Sequence, residues 1–148
     1  MILLDTNVLS HLQKRDTVGD AIEIAMASSA DQDFRITTVN AYEMLDGAFD
    51  LIRDLRRRRK SVTPGFRLFQ ELLDYLSLWQ GRILPYDDAS DRVYRGFTAR
   101  LQQELKDDAR IAAIGVSHGA AVWTRNVRDF QRVPGLIVYA AETGARIP

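Results

Sequence analysis

Five short runs of apolar and β-branched residues recur along this chain: ILL (2–4), FRITTV (34–39), RILPY (82–86), AAVWT (120–124) and LIVYA (136–140). None is long enough to be a helix, and the stretches between them carry apolar residues at helical spacing. Strands of this length alternating with helices predict a parallel sheet covered on both faces, because parallel strands need helical crossovers. The helical pattern covers 8–14, 17–30, a long stretch opened by Asn40 and running into an arginine run, and 66–79. It resumes from Asp87 or Asp88 to about 106 and from Asp107 or Asp108 to Gly119. Pro64-Gly65 and Pro134-Gly135 read as breaks. At 148 residues, with no repeat or linker, the expectation is one three-layer α/β/α domain over 1–148 with about five central strands.

The ends of these runs carry the chemistry. Asp5 follows the first run directly, Glu43 falls in the first turn of the helix after the second, and Asp87 and Asp88 follow the third. Asp108 stands at a further helix start, while Asn126 and Asp129 follow AVWT. In a parallel sheet these junctions lie along one edge, where open α/β sheets bind ligands. Acids at a helix start are also favoured by the macrodipole, at roughly 0.3–1 kcal/mol each, so capping accounts for any one of them alone. Several carboxylates brought together repel one another unless a cation joins them. Their hard oxygens select Mg²⁺ or Mn²⁺, ions that activate water and stabilise charge on a phosphodiester during in-line displacement.

Other chemistries are excluded or weakened. The chain has no cysteine, so disulfides, thiolate metal sites and cysteine nucleophiles are ruled out. Its 20 basic residues balance 20 acidic ones, and no apolar run approaches the ~18 residues of a membrane span. The N-terminus does not read as a signal peptide, which makes the cytoplasm the expected location. No P-loop pattern is present. The stretch Gly115-Val116-Ser117-His118-Gly119 resembles a hydrolase nucleophile elbow, but it ends a helix and no histidine follows it; Gly119 reads as a helix C-cap. A phospho-acceptor receiver would want a lysine after a late strand, where this chain offers Arg125. His11 and His118 are too few for a histidine zinc site, and a surface role is expected for His11.

Three blocks, LLDTNVLS, TVNAYEMLDGA and DDARIAAIGVSHGAAVWTRNVRDFQRVPGLIV, occur in this order. Together they resemble the signature blocks of PIN-domain nucleases, and within those the VapC-type ribonuclease toxins of toxin–antitoxin pairs. The resemblance spans nearly the whole chain. It implies metal-dependent hydrolysis of RNA, with Asp5, Glu43 and Asp108 as catalytic acids holding Mg²⁺ or Mn²⁺, a cognate antitoxin as partner and a homodimer as the assembly. Thr6 and Thr124 match supporting positions. Asn126 stands where family members carry Asp or Asn; as Asn it brings no charge to a second metal. Asp129 is expected to anchor the turn. An antitoxin arginine inserted among the acids would inhibit, since a guanidinium pairs well with carboxylates.

In one respect the chain departs from the family pattern. A longer loop usually precedes the third acid, whereas here QQELKDDARIAA runs on without one. Asp107 and Asp108 therefore compete for the role; the offset to Ile111-Ala112-Ala113 selects Asp108 and leaves Asp107 as the cap. The run RDLRRRRK (53–60) has six basic residues in eight. Arg56, Arg57, Arg58 and Arg59 read equally as a solvated basic helix end or as a site for RNA phosphates. Phe66, Phe69, Leu73 and Trp79 share a helical face that serves the core or a partner. The competing functional reading is a PIN-like module that binds RNA or protein without cutting.

Overall fold

The computed structural model describes residues 1–148. Five strands, β1 (Ile2–Leu4), β2 (Phe34–Thr37), β3 (Ile83–Leu84), β4 (Ala121–Thr124) and β5 (Val138–Ala140), form one sheet in the order β3-β2-β1-β4-β5. Every neighbouring pair is parallel. β1 is central, pairing Leu3 with Arg35 on one side and with Val122 on the other. The helices are α1 (Thr6–Lys14), α2 (Thr17–Ala27), α3 (Thr38–Arg57), α4 (Thr63–Ser77), α5 (Asp88–Gly96), α6 (Ala99–Leu105), α7 (Asp107–His118) and α8 (Val127–Phe130). None is long and apolar enough to cross a membrane.

Strand alternation divides the core. Ile2, Leu4, Ala121 and Trp123 face one side, where α1, α2, α3 and α4 supply Leu9, Ile22, Met44 and Leu72, with Trp79 just past the end of α4. Leu3 and Val122 face the other, against Leu101, Leu105, Ile111, Ile114 and Phe130 of α6, α7 and α8. Both faces of β1 and β4 are thus sealed, which explains why these strands lack polar positions before their last residues. The expected three-layer α/β/α architecture is present.

Several element boundaries differ from expectation, each for a local reason. β2 ends at Thr37, two residues early, because Thr37 caps α3 by accepting from the Asn40 N–H. Asn40, expected as the cap, is the third residue of a capping box and lies inside the helix. Pro64 and Gly65, expected as a break, occupy the first turn of α4, where proline loses no helical hydrogen bond. Gly65 sits so close to α3 that an added Cβ would lie 2.5 Å from Ile52 Cγ1. The single helix expected from 87 to 106 is two, divided where Thr98 caps α6 and with Asp87 capping α5. α2 stops at Ala27, short of Ala30. Gly119 closes α7 at φ 61°, as expected of a C-cap.

Asp107 does not cap α7. The residue before the helix is Lys106, which turns the chain at φ 52° and makes no side-chain cap bond. A single residue with positive φ therefore does the work of a loop between α6 and α7. Asp107 and Asp108 both fall in the first turn.

Candidate active site

The junctions after β1, β2 and β4 and the start of α7 meet at the carboxyl edge of the sheet. Asp5, the last residue before α1, is only 1% exposed. Its Oδ1 accepts from the Thr6 N–H at 2.7 Å and its Oδ2 from the Thr124 hydroxyl at 2.6 Å. No basic side chain pairs with it. Burial, the neighbouring charges of Asp108 and Glu43, and too few compensating bonds push its pKa up to about 7. Glu43 is pushed up to about 6, again chiefly by burial, with Asp108 and Asp107 adding to it. Burial likewise raises Asp108, with Asp129 and Asp107 contributing. Asp108 thus raises both Asp5 and Glu43, and Glu43 raises Asp5, across the edge of the sheet.

Neutral side chains hold them in place. The Thr6 hydroxyl donates to Glu43, and the Asn40 amide donates to the Thr6 oxygen at 2.9 Å. Asn40 Oδ1 in turn accepts from the Thr37 N–H and hydroxyl, each at 2.7 Å. A hydrogen-bonded chain, buried at Thr37 and Asn40, therefore runs Thr37–Asn40–Thr6–Glu43 and ties the end of β2 to the start of α1. Across the site, the Asn126 amide donates to Asp129 at 2.7 Å and reaches Asp108 at 3.4 Å. The Asn126 N–H is itself held by the Thr124 hydroxyl oxygen at 2.8 Å. Thr124 thus links Asp5 to the turn that carries Asn126.

Asp5, Glu43, Asp108, Thr6, Thr124 and Asn126 all meet here. Asp107 turns away to Arg110, which donates to it at 2.7 Å. Asn40 was expected only as a helix cap; the Thr37-x-x-Asn40 spacing was the legible signal, but its amide's reach to Thr6 is a tertiary contact. His11 lies at the rim, its Nε2 facing Arg125 Nη1 at 2.8 Å and its Nδ1 facing Asp16 at 2.7 Å. With the guanidinium as donor, the imidazole proton sits on Nδ1 and points to Asp16. The arginine run is not brought to the acids. Arg56 lies 13 residues beyond Glu43 on α3, about 20 Å at 1.5 Å rise per residue. Arg53, Arg57 and Arg58 are moreover paired with Asp46, Asp50 and Asp54. Of the apolar face, Trp79 is buried and Phe69 half-buried against Phe49, whereas Phe66 and Leu73 are exposed.

All the acidic donors are oxygens, the set that hard divalent ions take. As they stand, no three Asp, Glu or His side chains are gathered tightly enough to close around an ion. Their mutual repulsion, which adds to the upward shifts of Asp5 and Glu43, is what a cation would relieve.

A five-stranded parallel sheet covered on both faces, with acids converging beyond its carboxyl edge, defines a PIN-like α/β protein. No family model matches the chain. It is 31% identical over 135 residues to the VapC ribonuclease Y4jK of Sinorhizobium fredii, covering 88% of this chain and 91% of that protein. To toxin FitB of Neisseria gonorrhoeae it is 30% identical over 134 residues, with the same coverage of 88% and 91%. The fold matches a crystal structure of FitAcB from Neisseria gonorrhoeae at TM-score 0.69 and 25% identity, over 95% of this chain and 98% of that one. A structure of FitAB bound to an IR36 DNA fragment matches at TM-score 0.71 and 24% identity, over 96% of both chains. The chain belongs to the VapC family of PIN ribonuclease toxins.

Proposed function

We propose that the protein is an endoribonuclease that hydrolyses RNA phosphodiester bonds with the aid of Mg²⁺ or Mn²⁺, and that it is the toxin of a toxin–antitoxin pair. The observation that carries the reading is Asp5: a carboxylate buried at a sheet edge, facing Asp108 and Glu43, with no basic side chain beside it. A folded chain retains such an unpaired acid where its charge is used, because burial without a partner is costly.

Asp5, Glu43 and Asp108 would hold the metal, which when bound supplies Lewis acidity for activating water and neutralising phosphate charge. The chain's own groups orient that set. Thr124 and the Thr6 N–H fix both oxygens of Asp5, the Thr37–Asn40–Thr6 chain fixes Glu43, and Asn126 steadies Asp108. The Thr6 and Thr124 hydroxyls are engaged as donors to Glu43 and Asp5, which leaves water as the attacking group with no covalent protein intermediate.

The partner reading is supported by the relatives, whose structures include FitAB and a toxin–antitoxin complex from Klebsiella pneumoniae. Phe49 on α3 and Phe66 and Leu73 on α4 are exposed and offer apolar surface for an antitoxin or for a second copy in a homodimer. The second reading, a binding module that does not cut, is favoured by Asn126 in place of a further acid and by the open spacing of the carboxylates.

The test is cleavage of a mixed RNA pool by purified protein in Mg²⁺, Mn²⁺ or EDTA, beside Asp5→Asn and Asp108→Asn. Cutting that needs metal and is lost in both variants is expected, together with a rise in melting temperature on adding Mn²⁺ that neither variant shows. Intact RNA under both metals, with no thermal shift, moves the assignment to the binding module.

A further inference from the structure

Beside the acids opens a cavity of about 360 Å³ that the metal-site reading does not use. Its walls are Thr38, Val39 and Tyr42 from the first turns of α3, Tyr86 after β3, and Asp107 and Arg110 from the start of α7. It neighbours the acids along the chain: on α3 Tyr42 precedes Glu43, and on α7 Asp107 precedes Asp108.

Three features converge on it. Tyr42 is 59% exposed, a large ring that fills no core. Arg110 lies flat over the Tyr94 ring, 4.7 Å from its centroid, and donates to Asp107 Oδ1 at 2.7 Å. Its guanidinium is thus held rigid while several N–H groups remain free, and Asp107 Oδ2 remains free to accept. The opposite wall is equally fixed. The Tyr86 hydroxyl donates to Asp91 at 2.9 Å, and its N–H donates to the Thr38 hydroxyl at 3.0 Å. An ordinary surface ion pair at i, i+3 needs neither the stacked tyrosine nor the cavity. A flat aromatic face beside a rigid donor and a free acceptor is what recognises an unstacked base.

We propose that this cavity is a nucleobase subsite, in which Tyr42 stacks the base next to the phosphodiester presented to Asp5, Glu43 and Asp108, and Asp107 with Arg110 selects guanine. The inference rests on the ribonuclease reading and names its specificity. Guanine is the base whose pairing edge sets one acceptor, O6, beside two donors, N1–H and N2–H₂. O6 takes the Arg110 guanidinium, and the two donors meet the Asp107 carboxylate, one at the free Oδ2 and one at the second lone pair of Oδ1. Adenine, cytosine and uracil each leave the carboxylate at most one donor on that edge.

The test uses fluorescein-labelled RNA pentamers that differ only in the central base. Binding is read by anisotropy in EDTA and cleavage sites are mapped in Mn²⁺. Wild-type protein is compared with Tyr42→Ala, Tyr42→Phe, Asp107→Ala and Arg110→Gln, and with Ile24→Ala as an exposed apolar control on α2. The guanine pentamer is expected to bind tightest and to be cut beside the guanine. Tyr42→Ala weakens binding of every pentamer by about tenfold or more, and Tyr42→Phe restores it. Asp107→Ala and Arg110→Gln reduce the guanine preference by about tenfold. In cleavage these losses fall on KM more than on kcat, and Ile24→Ala follows wild type.

Equal binding of all pentamers by wild type and Tyr42→Ala, or no binding by wild type, overturns the subsite. Metal-dependent cutting with an unchanged base distribution in Tyr42→Ala and Asp107→Ala also overturns it and leaves the ribonuclease standing. Binding that depends on Tyr42 and prefers guanine, with no cutting in any metal, supports the subsite and refutes the nuclease.

Discussion

Asp5→Asn should make the metal-free protein more stable while abolishing its proposed activity. Burial and the facing acids raise Asp5 from the ordinary 3.8 to about 7. Between those values the folded state holds a proton that the unfolded chain releases. Stability from this group is therefore full below pH 4 and is lost as pH rises through 7. At about 1.4 kcal/mol per pH unit, ionised Asp5 costs the folded state about 4 kcal/mol at pH 8. Asparagine removes that cost and keeps the carbonyl oxygen that accepts from the Thr6 N–H. It loses the bond accepted from the Thr124 hydroxyl, worth about 1 kcal/mol. The net gain is about 3 kcal/mol at pH 8, or some 6–12 °C in Tm for a chain of this size. Circular dichroism melts in EDTA at pH 8 and pH 5 measure it, and the advantage should fall by more than half at pH 5. A variant no more stable than wild type at pH 8, or one whose advantage ignores pH, refutes the claim that Asp5 is a buried, unpaired charge.

Other perturbations probe the supports. Asn40→Ala leaves the Thr37 N–H and hydroxyl without their buried acceptor and should cost about 2–3 kcal/mol in urea unfolding; unchanged stability would dissolve the Thr37–Asn40–Thr6–Glu43 chain. Gly65→Ala drives a methyl against Ile52 and should cost about 1–3 kcal/mol, part of which Ile52→Ala returns in a double-mutant cycle. Lys106→Gly relieves a positive φ and should raise stability by about 1 kcal/mol in the same assay. Changing Arg56, Arg57, Arg58 and Arg59 to Ser should weaken binding of RNAs long enough to span the ~20 Å to the acids and flatten its salt dependence. Pentamers serve as the short control, and equal effects on both lengths would sink the spanning geometry.

Much of the architecture was legible because its signals are local. Three to six residues of β-branched and apolar character, alternating with helical periods, leave few alternatives to a parallel sheet covered on both faces. Asp5 and Glu43 stood out as acids in segments that follow strands, which topology alone sends to one edge. Asp108 opens a helix that follows another helix, and Glu43 lies in the second turn of α3, not its first. The breaks were less legible. Between 87 and 106 the division was signalled only by Gly96, which ends α5, and by Thr98, an N-cap residue that opens α6, single residues that a helix can also tolerate. The same holds for Pro64-Gly65, where a breaker pair became the opening turn of α4 because Gly65 lets that helix approach Ile52.

By itself, then, the sequence determined the element types, the parallel sheet and the set of acids, because periodicity and capping act within a few residues. Only the tertiary structure decided what each acid faces. Asp107 and Asp108 are neighbours with the same chemistry, yet Lys106 turns the chain so that one meets Asn126 at the acid cluster and the other pairs with Arg110 beside Tyr42. Asn40 likewise became the link between Glu43 and β2 through its reach to Thr6, 34 residues away. Such partnerships depend on burial and on distances between segments far apart in the chain, and neither is encoded in local spacing.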